Sequence, residues 1–159
     1  MRRMAMLLVG FMLSAPAFAV DLGRAEGAVT VDGNRIDLLY AYAIGHQFNE
    51  LTHKKSDTRI VLTSKPLPDG IDLANIDESF PEDTMGVVLC ITRAGKVSHV
   101  LVQHPKGMYD AGYFENDNYR FEPVKDTAGG AIAGKVTSGK IITNTMSFTL
   151  DSEFSAAVK

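Results

Sequence analysis

The chain has 159 residues, with 16 Lys and Arg against 19 Asp and Glu, and a single cysteine, Cys90. One thiol excludes an internal disulfide, and an acidic balance without any basic stripe excludes nucleic acid as the natural partner. Stability must therefore come from burial, in a chain long enough for one domain with a real core.

The first stretch, Met1 to Ala19, places two arginines before an apolar run that closes on Ala17-Phe18-Ala19. That is the pattern of a secretory signal peptide with an A-x-A cleavage site. The apolar run falls short of the roughly 20 residues that a membrane span needs. Cleavage after Ala19 leaves 140 residues, read as one β-rich domain over 20–159. It removes Arg2 and Arg3, so the net charge moves from −3 to −5. The expected location is the periplasm or the medium, with no stable membrane span after cleavage.

Ala28 to Val31 is strand-like, and Asp32-Gly33-Asn34 is a turn signal between two alternating runs. In the second run Ile36, Leu38, Tyr40, Tyr42 and Ile44 share one face. Gly45 to Thr58 is polar and reads as a loop. Arg59 to Thr63 is a short strand that Pro66 and Pro68 end. Ile71, Leu73 and Ile76 predict one short helix across the sheet.

Gly86 to His104 is the most apolar stretch of the mature chain and predicts a central hairpin turning at Arg93-Ala94-Gly95-Lys96. Two registers are open. With Thr92 facing Val97, the residues Val87, Leu89 and Ile91 join Ser98, Val100 and Val102, and Cys90 sits opposite His99. With Gly95 left-handed in a three-residue loop, Ile91 faces Val97 instead. The apolar pattern is cleaner in the first, and a one-residue slip would exchange the faces.

Tyr119 to Glu122 alternates as a strand. Ala128 to Thr137, with Gly129, Gly130 and Gly134, reads as a strand under tight backbone approach. Thr145 to Val158 alternates and is expected to break near Asp151-Ser152. Seven or eight short strands without long helices predict an all-β fold, an antiparallel sandwich or small barrel.

Arg35 to Ala43 (RIDLLYAYA), Val61 to Pro68 (VLTSKPLP) and the glycine strand followed by Phe148 to Val158 together resemble a loose group of small exported bacterial β-proteins with no assigned activity. The resemblance implies a compartment and a fold class, and no reaction. Tyr40 departs from it, since that group often carries His there.

Few residues suggest chemistry. His46 and His53 share a polar segment where they could meet an acid, as a metal-assisted hydrolase needs. Asp110, Glu115, Asp117 and Asn118 offer oxygen ligands without the EF-hand spacing. The glycines at 129, 130 and 134 lack the Lys-Ser or Lys-Thr and the helix of a phosphate loop. No G-x-S-x-G elbow occurs. Cys90 would be a nucleophile only if His99 lay opposite, and its strand neighbours read it instead as a small buried hydrophobe. No catalytic residue, metal site or cofactor is assigned. Tyr109, Tyr113, Phe114 and Tyr119 (with Phe121) read either as core or as a binding surface. The expectation is a non-enzymatic exported domain that binds an envelope or extracellular protein. A small apolar-ligand barrel and the metal-assisted hydrolase are the alternatives.

Overall fold

The computed structural model describes residues 20–49, 54–111, 117–124 and 130–159. Met1 to Ala19, where the sequence predicts a signal peptide, lie outside them. The described residues form ten strands: β1 Arg24–Val31, β2 Asn34–Asn49, β3 Lys54–Thr63, β4 Gly86–Ile91, β5 Val97–His104, β6 Gly107–Asp110, β7 Tyr119–Pro123, β8 Ala131–Ser138, β9 Ile141–Ile142 and β10 Ser147–Ala157. They make one curled antiparallel sheet in the order β6-β5-β4-β3-β2-β1-β10-β8-β7, with β9 on β10. The fold is all-β and forms a half-barrel; it is one sheet curled on itself, where a sandwich would have two.

The curl leaves an inside and an outside. Inside, every second residue is buried: Val29 and Val31, Ile60 and Leu62, Val87 and Leu89, Val100 and Val102, Phe148, Leu150 and Phe154. Outside, Val61, Val88 and Leu101 are covered by a short cap, where a 3₁₀ turn at Leu73–Asn75 leads into a four-residue helix, α1, Ile76–Ser79. Leu73 and Ile76 are the cap residues driven into the sheet. With both faces covered, all six residues of β4 are buried, which accounts for its continuous apolar run.

The hairpin combines both registers. Its body pairs Val87 with Val102, Leu89 with Val100 and Cys90 with His99, while Ile91 faces Val97. Gly95 is left-handed at φ +75°. The three-residue loop thus forms, and a bulge at Ser98 takes up the extra residue and restores the first register beyond it. Val97, rather than Ser98, consequently joins the inner face.

Three expectations are corrected. The segment after Gly45 is not a loop, because β2 runs to Asn49 and β3 starts at Lys54, with irregular register between them. β2 does not keep one inner face. Leu38 points inward, but beyond it Ala41 and Ala43 do, while Tyr42 and Ile44 pack under the cap. The switch lies beside the register shift between Arg24 and Gly27 on β1. β10 does not break at Asp151-Ser152, and its burial alternates from Phe148 to Ala156. Ser152 is inward and small because Gly27 of β1 approaches there; a Cβ on Gly27 would lie 2.5 Å from the Ser152 Cα.

Candidate functional site: a sealed cysteine series and an open seam

Two features stand apart from plain packing. The first runs across the outer face of four neighbouring strands. Arg59 of β3 pairs with Cys90 of β4, and Cys90 pairs with His99 of β5. On β6, Asp110 lies opposite Leu101 and reaches diagonally back. The Cys90 Sγ is 4.0 Å from His99 Nδ1, and His99 Nε2 is 2.9 Å from Asp110 Oδ1. A hydrogen on Nε2 would be donated to the Asp110 carboxylate, which leaves Nδ1 facing the thiol. Arg59 donates to the Ala74 carbonyl and to Asp77 Oδ1 at 3.0 Å, which ties the cap to the sheet.

In kind and order this is a nucleophile, a base and an orienting acid. Access decides what it can do. Cys90 is 2% exposed and His99 1%, and only Asp110 reaches solvent. The described arrangement is a hydrogen-bonded series, buried at Cys90 and His99, that ties the edge strand β6 to β5.

The second feature is the seam where the half-barrel stays open. The edge strand β7 approaches the start of β5 without ladder pairing among the described residues. One cleft of about 270 Å³ lies between Gly95-Lys96-Val97 and Asp117, Tyr119, Arg120 and Phe121. A second of about 270 Å³ continues past Gly95 and Phe121, over Ile91, Pro123, Val124 and Ile132, with Arg93 at its rim. Gly134 lies against Phe121, which lines both clefts. A Cβ there would lie 2.5 Å from the Phe121 ring, so glycine lets that ring lie flat and stack on Phe154 at 5.9 Å.

The aromatic residues singled out from sequence divide. Tyr109 is half-buried, 5.1 Å from the Phe148 ring. Tyr119 is 6% exposed and borders the seam from within. Tyr113 and Phe114 lie outside the described residues, as do His53 and Glu115; the strand at His46 is described, its side chain is not. Asp117 sits 3.8 Å from Lys96 Nζ. Among the described residues no three His, Cys, Asp or Glu converge as a metal site, and no helix is long and apolar enough to cross a membrane.

Sequence reasoning missed Arg59, Asp77 and the seam residues Arg93, Pro123 and Ile132. Only the pairing of distant strands brings them into place. For Asp110 a signal existed, since extending the hairpin register by one strand would have set it near His99.

The Tyr119 hydroxyl is buried and finds no hydrogen-bond partner among the described residues, and burial pushes its pKa up. An unmade buried hydrogen bond costs about 1–3 kcal/mol. Tyr119→Phe is therefore expected to leave the urea midpoint unchanged or raise stability by up to about 1 kcal/mol. A clear loss would show that the hydroxyl has a partner.

The fold and its recesses define a class, an open antiparallel half-barrel with a filled interior. Comparison with protein-family models, with curated proteins and with solved structures finds no match to this chain.

Proposed function

We propose that the chain is exported, cleaved between Ala19 and Val20, and acts without catalysis as a β-domain that binds another protein of the envelope or the medium. One observation carries the non-catalytic part: Cys90 and His99 are shut away from solvent, at 2% and 1% exposed. A substrate would have to displace what covers the outer face to reach the thiol. The inner face is occupied by Phe148, Leu150, Phe154, Leu38 and Leu89, all at most 1% exposed. That filling favours a surface binder over a barrel with a ligand in its lumen.

Two measurements test the reading. Intact mass of protein recovered from the periplasm or medium is expected to begin at Val20; a mass that retains Met1 to Ala19 would mean an anchor. Cross-linking and co-purification from an envelope extract are expected to give one reproducible complex of fixed stoichiometry. Recovery of the chain alone, at native concentration and in repeated preparations, would overturn the binding role.

A further inference from the structure

At one end of the half-barrel the β5–β6 turn meets the β1–β2 turn and the start of β10, from which β4 and β3 separate it in the sheet. Asp32 is the junction. Its Oδ1 accepts from the Ser147 N–H at 2.8 Å, and its Oδ2 accepts from Lys106 Nζ at 2.9 Å. The Asp32 N–H in turn donates to the Ser147 carbonyl at 2.8 Å. The Ser147 amide, and then Lys106, hold the Asp32 carboxyl below the usual carboxylate range, so it stays charged in mild acid. Inside the curl, Tyr109 of β6 meets Phe148 of β10, ring to ring at 5.1 Å.

The β5–β6 turn is itself set by a histidine. His104 is 6% exposed and continues the inward alternation of Val100 and Val102. Its Nδ1 accepts the Lys106 N–H at 3.2 Å, which closes the turn. Nδ1 accepts only while the ring is neutral. A second proton would set a donor against a donor and place a buried cation beside Lys106. The charges that act on the ring are Lys106 on its own turn and Asp32 on the β1–β2 turn. Gly107 stands opposite on β6, and the β4 register continued by one residue sets Met85 on the other side; neither is charged. The titratable side chain of β6 on the inner face is Tyr109, and β10 brings Ser147 and Phe148. Burial first, and then Lys106, push the imidazole pKa down, and the pull of Asp32 is the weakest of the three influences.

We propose that this end of the half-barrel is a clasp that mild acid opens. A proton on His104 Nδ1 releases the β5–β6 turn, and with it the Lys106 tie to Asp32, and uncovers the inner face at Tyr109 and Phe148. A histidine kept neutral by the fold contributes its stability above its ordinary pKa of about 6.5, and that contribution is lost as pH falls from there. The clasp is independent of the binding role above.

The test follows an apolar-surface dye on the whole mature chain from about pH 7.5 to about pH 5, with far-UV circular dichroism as the control for global unfolding. A rise in dye fluorescence of roughly threefold or more, with the circular dichroism unchanged, is expected. His104→Asn puts an amide oxygen in the place of Nδ1, which accepts the same N–H and takes no proton. It is expected to keep the dye signal flat. Lys106→Met cuts the tie and is expected to raise the signal already at neutral pH. A flat parent signal, an acid response that His104→Asn leaves intact, or a Lys106→Met chain that behaves as the parent would overturn the proposal. So would circular dichroism lost in step with the dye, which would mean that acid unfolds the whole sheet. If His104→Asn does not fold, the parent decides alone: the His104 ring resonances must titrate in step with the dye, and titration out of step overturns the clasp.

Discussion

Leu89→Ala is expected to lower stability by roughly 2–5 kcal/mol. Leu89 is fully buried at the middle of β4, opposite Val100 on one side and Ile60 on the other. Truncation leaves a cavity that these flanking strands cannot close, because each is held by ladder bonds at both edges. A domain of this size has only about 5–15 kcal/mol in all, so the variant should unfold at much lower denaturant or fail to accumulate. The control is Asp69→Ala, at an exposed position before the cap, which should cost no more than about 0.5 kcal/mol. If both variants unfold with the parent, β4 is not the centre of the core.

Gly27→Ala is expected to be as severe, by a different route. Gly27 has φ +146°, a conformation that side chains rarely adopt. A Cβ there would lie 2.2 Å from the Asp151 carbonyl oxygen and 2.5 Å from the Ser152 Cα. Both obstacles are backbone, and moving them means parting β1 from β10. Backbone strain and overpacking each cost about 1–3 kcal/mol, so about 2–6 kcal/mol is expected in total. Gly33→Ala separates the two terms, since Gly33 has φ +83° with nothing within 4 Å of its Cβ position. It should cost only strain, about 1–2 kcal/mol. Equal losses at the two positions would mean that the close approach at Gly27 adds nothing.

Local pattern carried much of this fold, and the failures have a common cause. The turn at Asp32-Gly33 was legible because only a tight turn calls for those residues between alternating runs, and both have positive φ. The hairpin was legible because Val87 to Ile91 is apolar on both faces, which only a covered central strand explains. The unbroken course of β10 was hidden, because Ser152 is polar and small for a reason that sits on another strand, at Gly27. The switch of faces in β2 was hidden likewise by the shift on β1. The hairpin posed two registers as rivals, and the chain uses both because a single bulge at Ser98 reconciles them.

The candidate sites were legible to a lesser extent. The first hairpin register brought Cys90 opposite His99, but not the acid that completes the series, which arrives from β6. Tyr119 was read as either core or binding surface, and it is buried at 6% exposure beside a cleft that the sequence did not show. The cleft itself depends on how far the sheet curls before β7 meets β5, and that is a sum of strand twists that no single segment encodes.

The central claim is that Cys90 is sealed from solvent, which is what the proposed non-catalytic role rests on. As Cys90 is the sole cysteine, its labelling by an aromatic disulfide reagent reports on that one site. Native protein near pH 7 is expected to react at least about 100-fold more slowly than protein in denaturant, because reaction must wait for local opening over the outer face. Rapid labelling of the native chain, slowed by His99→Ala or Asp110→Asn, would contradict the account and make Cys90 an accessible, activated nucleophile.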